Sequence, residues 1–382
     1  MKQTSRILST YSADTFGVAS SLFELGGMVI IHDASGCNST YTTHDEPRWY
    51  DMDSMLFVSA ISEIEAIMGD DNKLISDIEE EATRFHPRFI AIAGTPIPAM
   101  TGFDAQSVAM QIENDTGIPS FGFTTTGMKP YISGASTAFT ELVKRFAKKD
   151  VPKEHHVMNI LGLTPLDFST NGQCESLRRI FTENGWKVNC TLAMNTSWKS
   201  IENIGKAEIN LVVSSTGRET GVYLREAFGT PFIEGVPYGK ALTGKILENM
   251  DKISCHESDH AILFSPGKPS NNYIIGEEIA SLSLAEALRL ETGMDFSVLC
   301  PTGEGELLRD SDRFTPYEED ITDALNGAET VISDPIYRNV LDDKVHFIPL
   351  GHEAFSGRIF RKDIPDLIGD ITYISEKLKK RR

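Results

Sequence analysis

A chain of 382 residues is too long for one ordinary core, because single domains run to about 100–200 residues, so two or three domains are expected. Hydrophobic residues at 40% and charged residues at 24% are those of a soluble globular protein. No apolar run approaches the roughly 18 residues that cross a bilayer. With 36 Lys and Arg against 55 Asp and Glu, the formal charge of −19 argues against nucleic acid as the main partner.

The amino-terminal MKQTSRILSTYSADT is too polar for a secretion signal, so a cytoplasmic location with no membrane partner is expected. From there a pattern repeats: a short apolar strand, a Gly- or Ser-rich turn, an amphipathic helix. Expected strands are 28–31, 55–61, 89–94, 120–123, 156–163, 187–193, 209–215, 261–266, 296–301, 330–334 and 346–351. Helical segments between them include DNKLISDIEEEATRF, STAFTELVKRFAKK, CESLRRIFTENG, ETGVYLREAFG, EIASLSLAEALRLETG and DIPDLIGDITYISEKLKK. Several end in glycine, as at Asn184-Gly185 and Phe228-Gly229, where a helix terminus wants a left-handed residue.

This alternation predicts an α/β fold of three Rossmann-like domains with mostly parallel sheets around a central cleft. Two charged seams, 147–156 and 248–261, place the domains at 1–152, 153–254 and 255–382. The first carries the strand-end loop that holds Cys37, and the third carries the carboxy-terminal helix.

The cysteines, Cys37, Cys174, Cys190, Cys255 and Cys300, are scattered and form no CxxC pair. An odd, widely spaced set is a poor disulfide framework. A metal site must then be assembled from distant loops or from more than one chain. Cys37 lies in His32-Asp33-Ala34-Ser35-Gly36-Cys37, at the carboxyl end of a strand, where open α/β sheets bind ligands. It is either a small buried residue or a sulfur presented to metal, with Gly36 leaving the approach uncrowded. Cys174, Cys190 and Cys300 read as core packing. Cys255-His256-x3-His260 reads as a solvated linker before it reads as a zinc site. The turns LGLTPLDFSTNGQ and STGRETG could aim backbone N–H groups at an anion, but neither a dinucleotide fingerprint nor a nucleotide P-loop is present.

The order of HxxxGC, a serine-containing strand, IMGDDNKLISDIEEE and HPRFIAIAGTPIPAMTGFD, then VMNILGLTPLDFSTNGQCESLRRIFTENGWKVNCTL, AEINLVVSSTGRETGVYLREAFGTPFIEGVPYG and IIGEEIASLSLAEALRLETGM, resembles the nitrogenase component 1 family. That family contains nitrogenase catalytic subunits, a cofactor scaffold, dark-operative tetrapyrrole reductases and the reductive cyclase of coenzyme F430 synthesis. The resemblance implies that Cys37 ligates an interface iron–sulfur cluster of the 4Fe–4S kind, with Gly36 and Thr95 beside it and Asp33 or His32 as auxiliary ligands. It also exposes gaps. The positions around Asp53-Ser54-Met55 and Gly94-Thr95-Pro96-Ile97 lack the sulfur the family places there. Val213-Ser214-Ser215 stands where a nitrogenase cofactor needs a cysteine.

The implied function is a subunit of a multi-electron reductase fed by an ATP-dependent iron–sulfur reductase, acting on a small molecule or a tetrapyrrole-like substrate and not on dinitrogen. A homologous partner in a heterodimer or heterotetramer would supply the missing ligands; a homodimer is the other arrangement. Ser214, Arg218, Glu219 and His352 are the candidates to line the substrate cleft. The alternative is a non-catalytic cofactor scaffold or a small-molecule-binding member of the family.

Overall fold

The computed structural model describes residues 6–9, 11–34, 46–254, 263–303 and 305–380. Its strands form three separate sheets in which every pairing is parallel. The first has order β2-β1-β3-β4, from β1 (Met28–His32), β2 (Met55–Val58), β3 (Ile90–Gly94) and β4 (Ser120–Phe123). The second has order β6-β5-β7-β8, from β5 (Val157–Leu161), β6 (Lys187–Cys190), β7 (Ile209–Val212) and β8 (Phe232–Glu234). The third has order β11-β10-β9-β12-β13, from β9 (Asn272–Ile275), β10 (Ser297–Cys300), β11 (Arg313–Phe314), β12 (Thr330–Ser333) and β13 (His346–Pro349). The protein is thus α/β, with three Rossmann-like domains.

Parallel sheets are covered by helices on both faces, so their inner strands read as unbroken apolar runs. MVIIH, IAIAG, VMNIL, INLV, SVLC and TVIS are buried along their whole length. The covering helices follow the 3.6-residue period: Asn72–Phe85 buries Leu74, Ile75, Ile78 and Ala82 and leaves its acidic face in water. Gly185 and Gly229 take φ of 85° and 64° after their helices, as helix-stop residues do.

Two expectations fail. The 261–266 segment forms no strand within its described residues 263–266, and the third sheet is instead centred on β9. Pro266, Gly267 and Pro269 follow the apolar run, and proline gives no N–H to a ladder. β9 itself is only four residues long, with Asn272 and Tyr273 half-buried, too little pattern to stand out. The carboxy-terminal helix starts at Thr372 and not at 363, because Pro365 and Gly369, the latter at φ 74°, interrupt the segment.

In each sheet the chain order reverses beside a central strand, and the loops leaving that point diverge to open a crevice. The reversals fall between β1 and β3, between β5 and β7, and between β9 and β12. The polar clusters described below sit at these three points.

Within the first domain the helices Asp14–Leu22 and Tyr131–Phe146 pack in close contact, and the second of them also packs on the helix Arg218–Phe228 of the second domain. A Cβ at Gly134 would fall 1.9 Å from the Asp14 carbonyl oxygen, and one at Gly17 would fall 2.0 Å from the Tyr131 carbonyl oxygen. Alanine is the better helix former by about 1 kcal/mol. Gly134→Ala should nevertheless destabilise the protein by about 3 kcal/mol, because two backbones must separate. Urea unfolding checks this; a midpoint that rises would mean the helices approach less closely.

Candidate functional site

At the first reversal, His32 ends β1, and its Nδ1 lies 2.8 Å from Ser59 Oγ. Its ring packs on Phe103 at 4.3 Å between centroids. Burial pushes its pKa down to about 4, against the opposing pull of Asp33 and Glu65, so it is neutral at pH 7. Thr95 Oγ1 donates to Asp33 Oδ1 at 2.7 Å and reaches the His32 carbonyl at 3.0 Å. Ser54 Oγ donates to the Phe23 carbonyl at 2.9 Å. Cys37 and Gly36, which follow in sequence, lie outside the described residues, as does Cys255.

These loops offer an iron–sulfur cluster no thiolate of their own among the described residues, and their hydroxyls are already spent on the protein. Cys174, Cys190 and Cys300 are buried in the other two domains. Among the described residues no group of three His, Cys, Asp or Glu side chains is placed to hold a metal ion. The described residues therefore do not fit a cluster by themselves.

Next to this point is an unusual surface. The helix Glu63–Met68 buries none of its residues and packs near the helix Pro96–Thr101. Ile64, Ile67, Met68 and Met100 are between 72% and 86% exposed. Apolar side chains grouped in this way mark contact surfaces.

At the second reversal stands Asp167, which sequence reading did not single out. Its Oδ2 accepts from Thr164 Oγ1 at 2.8 Å and from Ser214 Oγ at 3.0 Å, and its Oδ1 accepts from Tyr131 of the first domain. His352, after β13 of the third domain, brings Nε2 to 3.7 Å from Asp167 Oδ1, too far for a hydrogen bond. His352 Nδ1 accepts from the Ala354 N–H at 3.2 Å, so the ring proton is on Nε2, where it is shielded and has no partner. Burial pushes His352 down to about 4. Burial, with the nearby Glu277 charge, pushes Asp167 up to about 7 against the pull of its three hydrogen bonds.

These groups face a cavity of about 60 Å³ between the second and third domains. Ile274, Leu284, Leu350, Phe355 and Leu367 give it apolar walls. Gln173, Tyr238 and Ser281 also line it, each buried, and none has a side-chain hydrogen bond among the described residues. An apolar chamber with a few convergent polar groups is the usual form of a small-molecule site.

At the third reversal, Glu277 Oε2 caps the helix Glu278–Thr292 by accepting from the Ala280 N–H at 2.8 Å. Its Oε1 crosses to the second domain and accepts from Ser215 N and Oγ at 2.9 and 2.6 Å. Outside this seam lies a larger open cleft of about 560 Å³, with Arg218 and Glu219 on one wall, Ser133, Ser136 and Thr137 on another, and Glu278 and Glu306 on the third.

The four cleft candidates thus separate. Arg218 and Glu219 line the larger cleft and His352 the smaller cavity, whereas Ser214 is fully buried between Asp167 and the Thr216 N–H. Asp167 had a readable signal, since Thr164-Pro165-Leu166-Asp167 follows a strand with capping spacing, and the Thr164 side chain does cap that turn. Tyr131 had none, because it arrives from another domain.

The family model for nitrogenase component 1 type oxidoreductases matches residues 16–265. The chain is similar to a subunit of the light-independent protochlorophyllide reductase of Prosthecochloris aestuarii, 28% identical over 47% of this chain and 34% of that one. It is similar to the nitrogenase molybdenum-iron protein alpha chain of Clostridium pasteurianum, 24% identical over 59% of this chain and 41% of that one. A third relative is the iron-molybdenum cofactor biosynthesis protein NifE of Klebsiella pneumoniae, 24% identical over 51% of this chain and 45% of that one. The matches thus span less than half the length of these relatives. A solved structure, "Nitrogenase Cp1 at pH 6.5", superposes with a TM-score of 0.61 at 17% identity, over 100% of this chain and 74% of that one; it shares the fold. No helix among the described residues is long and apolar enough to cross a membrane.

The raised Asp167 carboxyl carries a pH signature. It holds a proton when folded that the unfolded chain has lost, so folding is favoured at low pH and weakened as pH rises from about 4 through about 7. Asp167→Asn carries no such charge. Its stability relative to the native chain should therefore rise across that window and level off above it, measured by urea unfolding at each pH. A difference that stays flat would mean that Asp167 is ionised in the folded protein throughout.

Proposed function

Because the chain belongs to the nitrogenase component 1 type oxidoreductase family, we propose that it is one subunit of a nitrogenase-like multi-electron reductase whose substrate is held where the three domains meet. The observation that carries this reading is the small cavity, with the unpartnered His352 Nε2–H beside the Asp167 carboxyl. Adding electrons to a substrate requires protons as well. Asp167, up near 7, keeps a proton close to neutral pH in a place that excludes bulk water. Gln173, Tyr238, Ser281 and His352 can orient a ligand oxygen or nitrogen there by donating hydrogen bonds.

Size narrows the substrate. At about 60 Å³ the cavity is well below the ~150 Å³ that admits benzene. It suits a molecule of a few heavy atoms and not a tetrapyrrole. Ser214 in place of a cysteine, tied to Asp167, argues against a nitrogenase-type cofactor and hence against dinitrogen.

The partner is a homologous chain. The exposed Ile64, Ile67, Met68 and Met100 surface lies beside the first strand-end crevice and would be covered by it, in a heterodimer or heterotetramer. An iron–sulfur cluster belongs at that joint, with Cys37 as this chain's thiolate and the rest from the partner; it would hold and pass electrons supplied by an ATP-dependent iron–sulfur reductase. A cofactor scaffold is the second reading, favoured by the similarity to a protein named for cofactor biosynthesis.

Anaerobic coexpression with a homologous chain tests the reading. The pair should carry about four irons with matching acid-labile sulfide, and Cys37→Ala should abolish both while leaving the assembly intact. A folded, iron-free pair would sink it. Ile64→Glu with Ile67→Glu should leave the chain folded by circular dichroism but monomeric by light scattering; unchanged assembly would place the joint elsewhere.

A further inference from the structure

The smaller cavity leaves the larger opening unexplained. That cleft, about 560 Å³, has the volume of a small-molecule site. Helices from all three domains begin at it: Tyr131–Phe146, Arg218–Phe228 and Glu278–Thr292.

Its charges sort into paired and unpaired. Arg218 is neutralised on both sides, with Nε 3.0 Å from Glu234 Oε1 and Nη1 2.6 Å from Glu306 Oε2. Glu219 receives the Ser136 hydroxyl, at 3.1 Å, and makes no close ion pair among the described residues, although Lys144 feels its charge. Glu278 is 1% exposed. Its Oε1 accepts from the Leu307 N–H at 2.6 Å, while Oε2 has no partner among the described residues. A Cβ on Gly303, which also lines the cleft, would lie 3.8 Å from that oxygen and 3.7 Å from Ser215 Oγ. One oxygen of this largely buried carboxylate thus reaches the opening with no protein partner among the described residues, where a cation or donor can meet it. No third metal-ligating side chain joins it among the described residues, so a metal ion is not the natural occupant. Lys129 stands on the lining without an ion pair among the described residues and disfavours a second positive charge on the ligand.

We infer that the open cleft binds a small organic monoammonium ion, with Glu278 at its floor, Glu219 on its wall and the Ser133, Ser136 and Thr137 hydroxyls as acceptors. This goes beyond the reductase reading and does not depend on it. Binding should follow the ionisation of Glu278. Burial pushes that carboxyl up to about 7, the Leu307 N–H and Arg218 pull against it, and Glu277 and Glu234 add to the rise; the Cys300 thiol, itself pushed well up by burial, is a further titratable neighbour, and Glu219, Glu306 and Lys129 share the cleft lining.

Titration calorimetry of the full chain at low ionic strength with butylammonium, butyrate and butan-1-ol tests the inference. Butylammonium should bind saturably and about tenfold more tightly at pH 8 than at pH 6, the ratio of ionised carboxyl for a group titrating near 7. Glu278→Gln should lose about that factor at pH 8 and flatten the pH dependence, and Glu219→Gln should weaken binding if the first variant fails to fold. Asp343→Asn, at a fully exposed carboxylate, should change nothing, which separates a built site from general attraction to an acidic chain. Butyrate or butan-1-ol binding as well as butylammonium, indifference to Glu278→Gln, or no saturable binding up to about 10 mM would each overturn it.

Discussion

The Asp167 carboxyl is the point on which the arrangement of domains depends. One oxygen takes Thr164 and Ser214 of its own domain, the other takes Tyr131 of the first, and His352 of the third stands next in line. Hydrogen bonds to a charged or partly charged group contribute about 1.5–3 kcal/mol each, and removing the acceptor leaves buried donors stranded. Glu277 performs the same service at the neighbouring seam, capping a helix of the third domain while accepting from the start of a helical turn in the second.

Acidic groups at domain seams are costly in a chain of net charge −19. The structure offsets this in two ways. Around Arg218 and Arg361 the carboxylates are paired with guanidinium. At Asp167 and Glu278 the charge is instead reduced by keeping a proton, because burial penalises the ionised form. The second solution places protonatable groups at cavities, and protonatable groups at cavities are what reductive or ligand-binding chemistry uses. The two openings use them differently. The smaller one sets a carboxyl beside an imidazole N–H; the larger one has a carboxylate oxygen on its lining.

The sheets follow a common rule that makes their sites comparable. Each reverses strand order once beside its central strand, so each aims a pair of loops at one spot. Asp33 with Thr95, Asp167 with Ser214, and Glu277 with Asp334 are three versions of one position, carrying oxygen in every case.

Composition and periodicity alone determined the α/β class, most strands and the amphipathic helices, because burial on both faces of a parallel sheet writes a continuous apolar run into the sequence. The same reading located the strand-end loops that carry Thr95, Arg218, Glu219 and His352. It missed β9, whose apolar content is too short, and placed a strand where Pro266 and Pro269 forbid one. Only the tertiary structure decided that Ser214 is buried under Asp167, that His352 and Arg218 serve different openings, and that Tyr131, Asp167 and His352 meet. Those side chains lie 36 and 185 positions apart in the chain, and local periodicity carries no information about which loops three separate sheets will bring face to face.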